Sequence, residues 1–206
     1  MAETNPSPAH AASDAIASGR GMVVLSGPSG AGKTTVSRAI ARRLELLVSI
    51  SATTRRRRPG EADGVDYYFL QRKDFEERID QGRFVEWAEV FGHLYGTPMA
   101  ELERARNLGR LLLLEIDVQG GTQIKKKFPE ALAILLLPPN PDALRRRLSK
   151  RGTEDPDEVE KRFSQAQEEV RLARQAQCYD AEVVNDDLES AIDEIVCITQ
   201  AWRKKA

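Results

Sequence analysis

What is scarce in this sequence excludes several classes of protein before any motif is considered. The chain has 31 Lys and Arg against 32 Asp and Glu, a net charge of −1, so it lacks the basic excess of a general nucleic-acid binder. Its two cysteines, Cys178 and Cys197, are far apart and have no metal-ligand spacing, which fits a reducing compartment. No apolar run approaches the length of a membrane span. We therefore expect a cytoplasmic protein without nucleic-acid or membrane partners.

The length and hydrophobic content indicate one α/β core with room for small inserted subdomains. The chain has 206 residues, of which 41% are hydrophobic, enough to bury one sizeable core. Residues 1–20 are rich in Ala, Ser and Pro and lack the basic start and apolar middle of a secretion signal. We predict that they form a disordered tail. The oligomeric state, monomer or homo-oligomer, stays open.

The strongest motif is a glycine-rich loop near the start of the chain, with a glycine, four free positions and then Gly-Lys-Thr. Glycines allow several backbone N–H groups to converge on a phosphate chain. Lys33 is suited to the β- and γ-phosphates of a nucleotide, and Thr34 to the Mg²⁺ that accompanies them. The predicted nucleotide contacts are Gly27, Pro28, Ser29, Gly30, Ala31, Gly32, Lys33, Thr34 and Thr35.

The segments around this loop favour a nucleotide site over an accidental match in a Gly/Ser-rich turn. Met22–Ser26 is a short apolar run, typical of a buried parallel strand. Val36, Ile40 and Leu44 are each four apart and predict the apolar face of a helix that begins at Thr35. The positive N-terminal end of that helix would face the bound anion. Strand, loop and helix therefore follow one another in the order that phosphate binding requires.

Four consecutive arginines, Arg55–Arg58, are open to two interpretations. A charge run is usually a solvated basic loop. In a chain that already has one phosphate site, we favour a clamp for a second phosphate, because guanidinium groups bind phosphate oxygens in bidentate fashion. Which of the four arginines touch phosphate stays open.

Glu86 places a carboxylate in the apolar and aromatic run Phe84–Glu89. Most such glutamates lie on the solvent face of a strand, but one that turns inward can accept two N–H bonds from a ligand. Gly92–Pro98 follows, which we predict to be a loop that brings the hydroxyls of Tyr95 and Thr97 close together.

With these segments in their order along the chain, the sequence resembles the guanylate kinase family, which phosphorylates GMP with ATP to give ADP and GDP. The glycine loop alone would indicate only a superfamily, whereas the motifs that follow it narrow the resemblance to one family. Besides the loop, the matching segments are Ser51–Arg55, Arg58–Glu61, Asp66-Tyr67, Glu86–Ala88, Tyr95–Thr97, Glu115–Gly120, Arg147, Arg151–Thr153 and Val184–Asp187.

The resemblance implies an α/β fold of the P-loop NTPase type, with three layers, α/β/α, around a central parallel sheet. It implies a core of residues 21–50, 101–141 and 168–206, an inserted GMP-binding subdomain at 51–100 and a helical lid at 142–167. It also implies a cytoplasmic enzyme of purine nucleotide metabolism that uses ATP with Mg²⁺ and accepts dGMP as well as GMP.

The resemblance assigns roles to individual residues. GMP contacts are implied at Ser51, Arg55, Arg58, Tyr67, Glu86, Tyr95, Thr97 and Glu115. Catalytic roles are implied at Lys33, Arg55, Arg147, Arg151 and Arg162. Asn185 would lie beside the adenine of ATP. Guanine chemistry agrees, because its N1–H and amine can donate to a carboxylate while hydroxyl groups donate to O6.

Several alternatives stay open. Asp117 could hold water around Mg²⁺ or cap a helix before Gly120-Gly121. The charged hairpin at 142–167 could be merely solvated rather than a lid. The intact glycine loop disfavours a module that only binds phosphorylated peptides. Glu86 disfavours a kinase that acts on another phosphorylated molecule, such as a ribose phosphate.

Overall fold

The computed structural model describes residues 19–149 and 156–205. Nearly all of the predicted tail, and Arg151 of the predicted lid, lie outside these residues. The strands are β1 (Met22–Ser26), β2 (Leu47–Val48), β3 (Ala52–Thr53), β4 (Tyr68–Phe69), β5 (Phe84–Val90), β6 (His93–Pro98), β7 (Leu112–Glu115), β8 (Leu132–Leu137) and β9 (Ala181–Val184). The helices are α1 (Lys33–Leu44), α2 (Arg72–Asp80), α3 (Met99–Leu108), α4 (Val118–Lys127), α5 (Pro141–Ser149), α6 (Pro156–Ala176) and α7 (Leu188–Arg203).

Five parallel strands form the central sheet, in the order β2-β7-β1-β8-β9. β1 lies in the middle, where Leu25 is opposite Glu115 of β7 on one side and Ile134 of β8 on the other. The apolar runs of these three strands are buried on both faces, as parallel strands covered by helices require. The prediction of an α/β fold with a central parallel sheet is confirmed.

Helices cover both faces of this sheet and complete the three layers. Successive residues of β1 point to opposite faces, so Val23 and Leu25 join one buried cluster and Met22 and Val24 the other. The first cluster includes Val36, Ile40 and Leu44 of α1 with Ala191, Ile192 and Ile195 of α7. The second includes Leu102 and Ala105 of α3 with Ile124 of α4. The apolar face predicted for α1 is therefore confirmed, although the helix begins two residues earlier, at Lys33.

A second sheet, with the order β4-β3-β6-β5, packs on α2 around a small core of Ala52, Phe75, Phe84 and Leu94. The prediction of a loop at Gly92–Pro98 is wrong, because residues 93–98 form β6, which is antiparallel to β5. The two strands are joined by Phe91 and Gly92 alone, with φ angles of 52° and 76°. Two successive positive φ angles make the tight turn that suits a β-hairpin, so no longer loop is needed.

The last two helices before β9 pack on each other, with Leu144 and Leu148 of α5 against Phe163 and Ala166 of α6. α6 continues to Ala176 without a break, so the predicted boundary between lid and core after residue 167 lies inside a helix. Its later part joins the core, where Ala173 packs with Leu135 and Leu137 of β8.

Candidate active site

The glycine loop turns between β1 and α1 at the carboxyl end of the central strand. Gly27 and Gly32 have φ angles of 151° and 94°. A Cβ atom would lie 2.2 Å from the Leu136 carbonyl oxygen at Gly27 and 2.5 Å from Asn185 Nδ2 at Gly32. Asn185 Nδ2 itself donates to the Ala31 carbonyl over 2.8 Å. A side chain at Gly27 would clash with the backbone of Leu136, and one at Gly32 would be strained at its positive φ and would displace Asn185. The loop therefore keeps the bare backbone that anion binding needs.

The side chains of α6 reach this loop from outside. Arg162 Nη2 donates to Ser29 Oγ over 3.0 Å, and Glu169 Oε2 accepts from the Ser29 backbone N–H over 3.2 Å. Lys33 Nζ donates to the Gly27 carbonyl over 2.5 Å. Burial raises the pKa of the Glu169 carboxyl, and the Lys33 charge opposes this rise. Two cations and one carboxylate therefore meet at the loop.

The carboxylate of Glu115, at the end of β7, faces the first turn of α1. Its two oxygens accept from Thr34 Oγ1 over 2.5 Å and from Ser37 Oγ over 2.6 Å. Asp117 has a different role here, since it caps the N-terminus of α4 by accepting from the Gly120 N–H over 3.0 Å. The structure thus shows the cap that was one interpretation of Asp117, and its metal role stays a prediction.

Glu86 turns inward from β5 and is only 4% exposed. Its Oε1 accepts from both the backbone N–H and the hydroxyl of Thr97, over 2.9 and 2.7 Å. A Cβ atom at Gly120 would lie 2.6 Å from Oε2, so that glycine leaves the carboxylate its space. Burial raises the pKa of Glu86 to about 7, although the bonds from Thr97 act to lower it. Because both bonds from Thr97 go to Oε1, the other carboxylate oxygen, Oε2, can accept hydrogen bonds from a ligand.

The second sheet gathers a basic and aromatic group. Arg55 donates through Nη1 and Nη2 to both carboxylate oxygens of Glu61, over 3.0 and 2.7 Å. Its guanidinium lies 5.4 Å from the centre of the Tyr67 ring, and the rings of Tyr67 and Tyr95 are 6.1 Å apart. Burial raises the pKa of Tyr67. Arg58 donates its backbone N–H to Glu61, while its side chain is exposed. Three of the predicted GMP contacts, Arg55, Tyr67 and Tyr95, are therefore adjacent.

Arg147 on α5 lies against the segment after β9. Its Nη2 donates to the Asn185 carbonyl over 2.7 Å, and Asn185 is itself buried. Its Nη1 is buried and has no hydrogen-bond partner among residues 19–149 and 156–205. Ser51, the remaining predicted GMP contact, is half-buried just before β3.

Ser37, Glu61 and Glu169 contact predicted site residues through hydrogen bonds but were not predicted as site residues themselves. Ser37 is one helical turn after Thr34, and Glu61 ends the Arg58–Glu61 motif, so both had a local signal. Glu169 is seven positions after Arg162, which places the two on one face of α6. That spacing indicates a shared surface but does not show that the surface faces the glycine loop.

P-loop nucleotide-binding proteins have a parallel sheet covered by helices, with a glycine-rich loop at the carboxyl end of a central strand. This chain has that architecture and is one of them. The family model described as guanylate kinase matches residues 19–201, so the chain belongs to the guanylate kinase family. A guanylate kinase of Thermus thermophilus is 48% identical over 185 residues, which are 90% of this chain and 83% of the relative. One of Carboxydothermus hydrogenoformans is 44% identical over 187 residues, 89% of each chain. The crystal structure of guanylate kinase from Anaplasma phagocytophilum superposes with a TM-score of 0.70 at 33% identity, covering 88% of this chain and 85% of that one.

Proposed function

We propose that this chain transfers the γ-phosphoryl group of ATP to GMP, giving ADP and GDP, with ATP on the glycine loop and GMP on the second sheet. Membership of the guanylate kinase family supports the reaction. The observation that carries the choice of acceptor is the buried Glu86 carboxylate, fixed by Thr97. We also propose the division into a core, a GMP-binding subdomain at 51–100 and a lid at 142–167, with α6 continuing from the lid into the core.

Glu86 is the group that would distinguish guanine from other bases. Guanine presents two adjacent donors, N1–H and the exocyclic amine, and a carboxylate accepts both. The Thr97 hydroxyl donates to Glu86 and so orients the carboxylate, which leaves Ser51 to donate to O6. Adenine has no N1 proton and carries an amine in place of O6, so it would leave these buried groups unpaired.

The GMP phosphate would bind where Arg55, Tyr67 and Tyr95 meet. Glu61 holds the Arg55 guanidinium by a two-point ion pair that is largely shielded from solvent, so its orientation is set before the substrate arrives. Arg58 would add a second guanidinium from the exposed part of the same segment.

The oxygen atoms of Thr34 and Glu115 fit a magnesium ion, because Mg²⁺ prefers hard oxygen ligands and usually binds through few protein groups. Thr34 would contact the ion directly, and Glu115 would hold its water shell while bordering the GMP pocket. The ion bound with ATP neutralises charge on the β- and γ-phosphates.

The chain's own cations would stabilise the transferring group. Lys33 would move from the loop carbonyls to the nucleotide phosphates, and Arg147, Arg151 and Arg162 would approach from the lid. The GMP phosphate is already an anionic nucleophile, so no side chain has to act as a strong base. Closure of the lid and the GMP subdomain would exclude water and suppress hydrolysis of ATP.

A cytoplasmic location belongs to the proposal. Cys178 and Cys197 are both unpaired thiols, which fits a reducing compartment. Within residues 19–149 and 156–205, no helix is both long and apolar enough to cross a membrane.

The test is a coupled assay of ADP release with ATP and, in turn, GMP, dGMP, AMP, UMP and no acceptor. We expect rapid ADP release with GMP, release with dGMP, and little with AMP, UMP or no acceptor. Equal rates with GMP and AMP would refute the assignment of the second sheet to guanine. Rapid release without any acceptor would instead indicate an ATPase.

A further inference from the structure

The helix α6 places a carboxylate on a phosphate-binding group of the glycine loop. Glu169 Oε2 accepts from the backbone N–H of Ser29 over 3.2 Å. Backbone N–H groups of such a loop are the donors that bind nucleotide phosphate. The contact joins positions 140 residues apart in the chain, so it depends on the tertiary fold rather than on local turn geometry.

Neighbouring side chains hold this carboxylate in place. Gln165 Nε2 donates to Glu169 Oε1 over 3.4 Å, so each carboxylate oxygen has a donor. Arg162, on the same face of α6, donates to Ser29 Oγ over 3.0 Å. Burial raises the pKa of the Glu169 carboxyl, while the positive charge at Lys33 acts to lower it. Glu169 therefore occupies one backbone donor of the loop, the Ser29 N–H, and lies within the influence of the Lys33 charge, both of which are proposed to serve the phosphates of ATP.

We propose that Glu169 is a positioning residue that takes the place of a phosphate oxygen at Ser29 and is displaced when the polyphosphate of ATP binds. The inference rests on the proposed role of the glycine loop as the ATP site. One N–H group cannot form a full hydrogen bond to a carboxylate and a phosphate oxygen at once, and two anions at that distance repel each other. ATP binding and the contact of Glu169 with the loop are therefore mutually exclusive.

Two consequences follow for the lid. Displacement of Glu169 removes a contact that docks α6 on the loop, so nucleotide binding is coupled to the position of this helix. Competition by Glu169 also lowers the affinity for ligands that carry a polyphosphate, and it does not affect the part of the site that binds the base. The apparent affinity falls in proportion to the fraction of molecules in which the N–H is available.

The experiment measures dissociation constants of the β,γ-imido analogue of ATP and of inorganic tripolyphosphate by calorimetry, without GMP. The variants are Glu169→Gln and Glu169→Ala, with Glu168→Gln as the matched control, because Glu168 is exposed and pairs with Arg171. We expect Glu169→Ala to bind each ligand about tenfold more tightly if the carboxylate holds Ser29 in about nine-tenths of the molecules. Glu169→Gln, which loses the charge but keeps an acceptor oxygen, should gain less. The control should bind as the wild type does.

A purely structural contact predicts a different result. If Glu169 only stabilises α6, its replacement lowers the melting temperature and leaves both dissociation constants unchanged or raises them, which would overturn the inference. A second readout is the split of kinetic constants, since the KM for ATP should fall while the KM for GMP stays the same. Should the wild type bind neither the analogue nor tripolyphosphate, the assignment of the ATP site itself fails, which is a separate outcome.

Discussion

Thr97 holds Glu86 through two hydrogen bonds to a single carboxylate oxygen, one from its backbone N–H over 2.9 Å and one from its hydroxyl over 2.7 Å. The two residues face each other on adjacent antiparallel strands, β5 and β6, so their geometry is set by strand register. A carboxylate fixed in this way loses little further freedom on binding a ligand, which favours recognition of a base with two neighbouring donors.

The first prediction concerns base recognition by this carboxylate. Glu86→Gln replaces one acceptor oxygen with an NH₂ group that faces a guanine donor, and the loss of a charge-assisted hydrogen bond costs about 1.5–3 kcal/mol. The kcat/KM for GMP should fall roughly ten- to a hundredfold. IMP keeps N1–H and O6 but lacks the amine, so its kcat/KM should fall less. An unchanged GMP/IMP ratio in the variant would show that Glu86 does not contact the guanine amine.

The second prediction concerns stability against pH. The pKa of Glu86 is about 7 in the folded chain and near 4.5 when it is exposed. Between these values the folded state keeps a proton that the unfolded state releases, so stability falls as pH rises from 4.5 through 7. The full loss is about 3 kcal/mol above pH 7.

The Glu86→Gln variant cannot ionise at this position. The difference between its free energy of unfolding and that of the wild type should therefore be about 3 kcal/mol larger at pH 8.5 than at pH 4.5. Urea denaturation at the two pH values measures this difference. Glu89→Gln, on the same strand but with an exposed side chain, is the control. If the free energies of unfolding of wild type and Glu86→Gln changed equally with pH, ionisation of the buried Glu86 carboxyl would not destabilise the folded chain, and the prediction would be wrong.

The third prediction concerns the lysine of the glycine loop. Lys33→Ala should lower kcat at least about a hundredfold, because it removes a cation from the charge that develops during transfer. The dissociation constant of GMP should change little, since the lysine is not among the proposed GMP contacts. Steady-state kinetics and GMP calorimetry separate the two effects, with Arg42→Ala on the exposed side of α1 as control. Near-normal turnover would refute the role of the loop.

The fourth prediction separates the phosphate clamp from the lid. Arg58→Ala should raise the KM for GMP severalfold, whereas Arg147→Ala should mainly lower kcat. The two arginines belong to different segments, one before β4 and one on α5. Arg146→Ala, at an exposed position beside Arg147, serves as the control. If Arg58→Ala and Arg147→Ala alter only ATP binding, the assignment of Arg58 to GMP binding and of Arg147 to phosphoryl transfer is wrong.

The elements with strong local patterns were predictable. The run Met22–Ser26 and the spacing of Val36, Ile40 and Leu44 determine a buried strand and an amphipathic helix without reference to the rest of the chain. β6 was missed because its turn is Phe91-Gly92, which lacks the Asn-Gly or Asp-Gly signal of a two-residue hairpin.

The candidate site residues could be named from the sequence, but their contacts could not. Motifs, base chemistry and the family resemblance singled out Glu86, Arg55 and Glu115, whose roles stay predictions. The hydrogen bond of Glu115 to Thr34 spans 81 positions, and that of Glu169 to Ser29 spans 140, so neither follows from sequence spacing. Such contacts are determined by strand order and helix packing, which periodicity does not specify.

Because α6 is one unbroken helix from Pro156 to Ala176, a rotation at one end moves the other end. Ala173 is packed against the core sheet while Arg162 reaches the glycine loop eleven residues earlier, about 16 Å along the helix axis. A tilt of only about 10° about Ala173 would carry the Arg162 backbone through roughly 3 Å, close to the length of the bond that its side chain makes to Ser29. A small rotation at the core end is thus enough to connect or disconnect a charge at the phosphate site.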